Sequence, residues 1–321
     1  MEKSEKRTLR EYLWLYVVGI IVGAANVIPG VSGGTMAFIL GIYEELLDSI
    51  RRFASARAVK MLASFKFKEA YRTLPWQFMS VLLFGIVSAS VLLAPPLKWM
   101  LENRVSLILA FFFGLVLASI ITVLLRLSRF KVSLIPALIV GTAIGWWVAG
   151  LTGEMQAPDA WWYLVLCGAV AICAMILPGI SGSFILMLMG RYKDVLAAID
   201  GVVHFDDFAA SLLTLVWFIV GVVLGLASFA QLLSWLFKRC RDLTIAVLAG
   251  FMVGSLRKIW PWKIGDDLKM SNRLPQIDGN FWIVVALAVV GFVLVIGIEF
   301  AARRFERRAE SQLSKDTAQG K

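Results

Sequence analysis

The chain has 321 residues, 60% hydrophobic and 17% charged, with mean hydropathy +0.80 and a formal net charge of +10. So apolar a chain excludes a water-soluble globule, which needs far more polar surface. The excess of bases does not point to nucleic acid, and no such partner is expected: the bases cluster between apolar runs, where the positive-inside rule places them in a membrane protein.

The N-terminal MEKSEKRTLR, an apolar run and then GAAN imitate a secretory signal, but the apolar pattern resumes at once and the stretch is expected to be retained. Ten apolar segments follow, at 12–28, 34–50, 77–94, 104–126, 133–151, 160–177, 183–199, 211–236, 242–257 and 281–300. Several are near the roughly 17–25 residues of a full crossing, and those around the two breaks described below are short. The expected fold is an all-α polytopic membrane protein. Cys167 and Cys173 share one apolar run and Cys240 adjoins a basic loop. That pattern is neither a disulfide framework nor a metal site, and no cofactor is expected.

Lys and Arg set the expected orientation. Bases crowd residues 1–11, the loop 51–75, the loop around Arg126–Lys131, Lys238–Arg241 and Arg303–Arg308. Loop 152–159 carries Glu154 and Asp159 and no base. One alternating scheme fits, with both termini in the cytoplasm. Its misfit is 257–280, placed outside despite five bases. Loop 51–75 reads equally as an amphipathic helix on the anionic leaflet or as a solvated basic loop. Arg257 and Lys258 precede WPW at 260–262, which reads as an interfacial aromatic anchor.

Residues 26–47 read NVIPGVSGGTMAFILGIYEELL, and 175–196 read MILPGISGSFILMLMGRYKDVL. Aligning Pro29 with Pro178 also matches Gly30, Ser32, Gly33, Gly41 and Tyr43 with Gly179, Ser181, Gly182, Gly190 and Tyr192, an offset of 149. AFFFGLVLASI at 110–120 echoes AVLAGFMVGSL at 246–256, an offset of 136. The chain therefore divides into an N-terminal stretch 1–11, a first repeat 12–151, a second repeat 152–302 and a basic tail 303–321. Each repeat holds five segments. Five is odd, so the second copy starts on the opposite side: a 5+5 inverted-topology repeat with two broken or re-entrant helix pairs.

Proline removes a backbone donor and glycine relaxes the backbone, so each PG-x-SG phrase ends a helix and starts another. The hydroxyls of Ser32, Thr35, Ser181 and Ser183 are placed to cap the new helices. A fresh helix N-terminus offers unpaired N–H groups and partial positive charge, which suits an anion. Discontinuous helices meeting near the midplane are a transporter pattern; a kink in a packed bundle, with glycines for close approach, is the alternative. The G-x-S-G shape also occurs in intramembrane serine proteases, but that chemistry needs a base beside the serine. The single histidine, His204, lies among the polar residues HFDDF, and the chain is read as a non-enzyme.

The two phrases, with GSLRKIWPW at 254–262, resemble the bacterial domain of unknown function 368 family, the PopT-type undecaprenyl-phosphate translocases, over nearly the whole chain. The resemblance implies a flippase of the bacterial cytoplasmic (inner) membrane. It would return undecaprenyl phosphate, or a related polyprenyl phosphate, from the outer to the inner leaflet by alternating access, for reuse in peptidoglycan. The resemblance carries over to residues 29–34 and 178–182; together with the residue reading, the head group would be held by Asn26, Gly30, Ser32, Gly33, Gly34, Thr35, Gly179, Ser181, Gly182 and Ser183, with Pro29 and Pro178 breaking the helices. The second copy departs at Ser183, where the first has Gly34. Arg191 and Lys193 could draw the phosphate from outside and Glu44 or Glu45 could carry a proton; interfacial snorkelling is the plainer reading of all four. A channel or carrier for a small soluble anion, built on the same N-termini, is the alternative function, and a non-transporting scaffold is a third.

Overall fold

The computed structural model describes residues 7–319 apart from 28–32, 56–57, 59, 62–63, 65, 126, 128–130, 152, 154, 265–270 and 278. The first half contains α1 (Leu9–Val27), α2 (Gly33–Ile39), α3 (Tyr43–Phe53), α4 (Phe67–Thr73), α5 (Trp76–Asn103), α6 (Val105–Leu124) and α7 (Ile135–Gly150). The second contains α8 (Trp161–Ile176), α9 (Gly182–Leu188), α10 (Tyr192–His204), α11 (Phe208–Arg239), α12 (Arg241–Ser255), the strands β1 (Lys263–Ile264) and β2 (Ser271–Asn272), and α13 (Gly279–Gln319). Five of these helical stretches are long and apolar enough to cross a membrane, and α8 is a shorter apolar helix.

Four expectations about the elements change. Segments 34–50 and 183–199 are each two helices, because Gly41 (φ 77°) and Gly190 (φ 73°) adopt the left-handed conformation that ends α2 and α9. The closing bonds correspond one for one. Ile42 N–H reaches the Ala37 carbonyl and Gly41 N–H reaches Phe38; Arg191 reaches Leu186 and Gly190 reaches Met187. This is a Schellman-type stop, in which glycine avoids the strain another residue would carry. Segment 77–94 does not stop at Pro95 and Pro96; proline's φ suits a helix, and α5 continues to Asn103. The segment at 281–300 likewise continues as helix through the basic tail to Gln319. Stretch 51–75 is not one amphipathic helix: α3 and α4 fold over Ala58, Met61, Ala70 and Leu74, closed by Phe53 against Trp76 at 4.7 Å.

Four helix pairs carry the packing: α1 on α5, α8 on α11, α6 on α13 and α7 on α12. The first two pairs lie within one half each. The other two exchange partners between halves. In lipid no water is expelled when helices meet, so association depends on close van der Waals approach, which small residues allow. Every crossing has glycines against backbone. A Cβ on Gly19 would strike the Leu82 carbonyl, on Gly168 that of Phe218, on Gly114 that of Ala288, and on Gly250 that of Leu138. The sequence offsets recur here: Gly19 and Gly168 are 149 apart, while Gly114 and Gly250 are 136 apart.

α6 is the interior helix, with 67% of its span buried, against 11–22% for the spans on α5, α7, α11 and α13. Those four turn Phe84, Trp147, Leu224 and Val293 outward, which suits a lipid surround. α12 is also mostly buried and packs on α6. α2 leans on α1, α6 and α8, which brings the first break to the end of α8 and so to the second.

Candidate functional site

Pro29, Gly30 and Ser32 lie outside the described residues. α2 starts directly after them, and its cap comes from the other side of the break. Asn26 Oδ1 accepts the Gly33 N–H at 2.9 Å. An amide side chain from α1 thus caps the first N–H of α2. Thr35 faces the second half instead. It is 1% exposed, and its Oγ1 accepts the Gly179 N–H at 2.8 Å.

The second break follows from its proline. Pro178 has no N–H for the α8 ladder, and Ile180 N–H turns back to Leu177, so the carbonyls at the end of α8 lose their ordinary partners. The buried Tyr43 hydroxyl donates to the Ile176 carbonyl at 3.0 Å. Gly34 fits against the same strip: an added Cβ would lie 2.6 Å from the Ile176 oxygen and 2.8 Å from that of Met175. Gly179 has φ 91°, and a Cβ there would meet Ser255 Oγ at 2.8 Å and the Phe251 carbonyl at 3.0 Å. Among the described residues, the surroundings of the two breaks thus meet through the Gly179–Thr35 and Tyr43–Ile176 hydrogen bonds and the close packing of Gly34.

Ser181 precedes α9 with extended backbone and makes no capping bond. Its buried hydroxyl lies 2.9 Å from that of Ser183, whose residue is exposed. Gly182 sits on the Ala171 carbonyl. A narrow recess opens beside them, lined by Gly145, Ala149, Gly179, Ser181, Phe184 and Lys258. The Lys258 ammonium stands 3.9 Å from the centre of the Phe184 ring, a cation–π contact. Behind it the Arg257 guanidinium lies over the Trp146 ring at 4.9 Å, and Lys263 Nζ reaches Asn272 Oδ1 at 2.6 Å. Burial lowers the Lys258 pKa, and burial with the neighbouring Lys258 and Arg257 charges brings Lys263 down to about 8.

Two of the amide donors expected to face a ligand, those of Gly33 and Gly179, are held by protein acceptors. The charged candidates sit apart from the junction. Arg191 is clamped by Asp194 at 2.7 Å, Asp159 at 3.1 Å and the Pro158 carbonyl. Lys193 is exposed. Glu44 pairs with Arg241 at 3.1 Å and Glu45 with Arg7, both in the first turn of α3, past the far end of α2 from the break. His204 ends α10, exposed beside Asp200.

Lys258, Lys263 and Phe184 were missed by the motif-based reading. A signal for the first two was present: the surplus of bases in 257–280, on the side where the charge rule expects few. Phe184 gave none, being one apolar residue in an apolar run.

A family model for undecaprenyl phosphate translocase-like proteins matches residues 22–277. A Vibrio cholerae protein named polyprenyl-phosphate transporter is 41% identical over 311 residues, covering 91% of this chain and 98% of that protein. A Staphylococcus aureus protein of the same name is 30% identical over 300 residues, covering 89% and 96%. These are names of transporters rather than enzymes. No solved structure shows a significant match. With most of its length matched and relatives aligned almost end to end, the chain belongs to the undecaprenyl phosphate translocase-like family.

Proposed function

We propose that this chain carries undecaprenyl phosphate, or a closely related polyprenyl phosphate, from the outer to the inner leaflet of the bacterial cytoplasmic membrane, with both termini in the cytoplasm. The observation that carries the reading is the direct contact between the two breaks, Gly179 N–H to Thr35 Oγ1. It joins two interrupted helix pairs from opposite halves at one point among buried residues. The relatives named as polyprenyl-phosphate transporters supply the substrate class.

The physical problem is the head group. An anion crossing hydrocarbon without partners is expensive, whereas the polyprenyl tail can remain in lipid. The junction supplies hydroxyls at Ser181 and Ser183, and Ser32 is the equivalent in the first break. The amides of Gly33 and Gly179 bond to protein acceptors here, and in a rocked state they would turn from Asn26 and Thr35 to phosphate oxygens. Glu44 and Glu45 would then act as cytoplasmic ion-pair latches between elements, and Arg191 as an external pin. An inverted arrangement of the two five-segment units gives the two conformers needed for alternating access. The matched partner pairs and the two identical glycine stops support that arrangement.

Liposomes holding the purified protein and a labelled polyprenyl phosphate test the proposal, with chloride and phosphate flux followed in parallel. Head groups are expected to change leaflet, and a chain with Ser32 and Ser181 both replaced by leucine is expected to insert but not transport. Flux of soluble anions without lipid movement would establish the channel reading instead.

A further inference from the structure

The loop after α12 holds three cations whose side chains meet no carboxylate among the described residues: Arg257, Lys258 and Lys263. They are half-buried, and loops that only obey surface charge rules leave such groups in water. Lys258 does the opposite. Its ammonium lies over the ring of Phe184, itself 8% exposed, at the mouth of the recess containing Ser181 and Gly179. The short β1–β2 pair fixes the arrangement, with Asn272 Nδ2 and Lys263 Nζ both donating to the Arg257 carbonyl. With no carboxylate among the described residues to balance them, these neighbouring cations repel one another, and a dianion at the recess that Lys258 and Ser181 line relieves that repulsion.

We infer that Lys258 and the Ser181 hydroxyl, with Arg257 and Lys263 behind them, form the docking site for a phosphate monoester head group on the side of the β1–β2 hairpin. This rests on the transport reading above and names where the head group first binds. The ligand chemistry is a phosphate dianion; a lipid and free phosphate both carry it, and the head group of a lipid is the assignment.

The test uses the full chain in lipid nanodiscs and titrates farnesyl monophosphate, with farnesol and inorganic phosphate as separate arms. Lys258→Gln is expected to weaken farnesyl monophosphate at least tenfold, Ser181→Ala about fivefold, and Lys258→Arg less than threefold. Lys68→Ala, on the exposed face of α4, is expected to bind like the parent. Farnesol is expected not to bind the recess, and inorganic phosphate to compete poorly. Parent-like binding by folded Lys258→Gln and Ser181→Ala overturns the site, and if those variants still move labelled polyprenyl phosphate the transport reading survives. Failure of the parent protein to bind or move the lipid overturns both. Inorganic phosphate binding as tightly as the farnesyl compound overturns the lipid assignment. If Lys258→Gln does not fold, acetylation of Lys258 in the parent decides: protection by farnesyl monophosphate supports the site, and equal labelling with and without it overturns the site.

Discussion

The two breaks begin from nearly the same phrase and finish differently. Their downstream stops are superposable in bonding, Gly41 with Ile42 and Gly190 with Arg191. Upstream, the described flanks of the first are engaged by protein: Asn26 caps α2, and Thr35 is buried against Gly179. The second is open: Ser181 and Ser183 bond to each other beside a recess, and Lys258 stands over the next turn. The departure at one aligned position, Gly34 against Ser183, has a steric cause. Gly34 lies against two carbonyls and has no space for a side chain, whereas Ser183 is exposed. The two phrases share the glycine stop, while their described side chains differ: Thr35 bonds across to Gly179, and Ser181 and Ser183 bond to each other.

The most damaging way to break this comparison is Gly179→Ala. It combines left-handed strain with overlap on Ser255 and the Phe251 carbonyl, and is expected to cost about 2–4 kcal/mol, read as a lower unfolding temperature in detergent. Thr35→Val keeps the shape and removes the acceptor from the buried Gly179 N–H. It is expected to cost about 1–3 kcal/mol, with Thr35→Ser near the parent. A loss from Thr35→Val no larger than from Ser181→Val would remove the distinction between a hydroxyl that holds the halves together and one beside the recess.

The open side is sharpened by pH. Lys263 sits among Arg257, Lys258 and Asn272, and its pKa is held down at about 8. Its charge is present below that pH and lost above it, while a phosphate monoester, with its second pKa near 6, is dianionic on both sides. Farnesyl monophosphate binding is expected to weaken a few-fold between pH 7 and 9, and Lys263→Arg is expected to flatten that dependence. The smallest effect is expected at Glu44→Gln. Its ion pair with Arg241 is more than half exposed, and losing it is expected to change stability by less than about 1 kcal/mol. A transport defect from that variant at parent stability would assign the pair a role beyond holding the ends together.

Hydropathy and repetition located much of this molecule in advance. Apolar length marks α1, α6, α7, α8, α11 and α12 closely, because burial in lipid leaves a direct trace in composition. The splits at Gly41 and Gly190 left none, since a single φ angle does not alter a hydropathy window. The continuation of α5 through Pro95 and Pro96 was hidden because proline reads as a stop, although its fixed φ is itself helical. Partner exchange was hidden as well, because Gly114 and Gly250 reveal a close approach but not which helix approaches. At the site, the PG-x-SG phrases drew attention to amides of which two, those of Gly33 and Gly179, are held by protein acceptors, while Lys258 lies far away in sequence and is marked only by the surplus of bases in 257–280.

The exchange of α6 and α7 with partners in the second half has a consequence for biogenesis. When α7 leaves the ribosome its partner α12 is still roughly 90 residues from synthesis, about 5–20 s at ordinary elongation rates. Until then Gly141 and Gly145 of α7 lack the α12 backbone on which they pack. Two separately translated halves are therefore expected to assemble stably only when both are present.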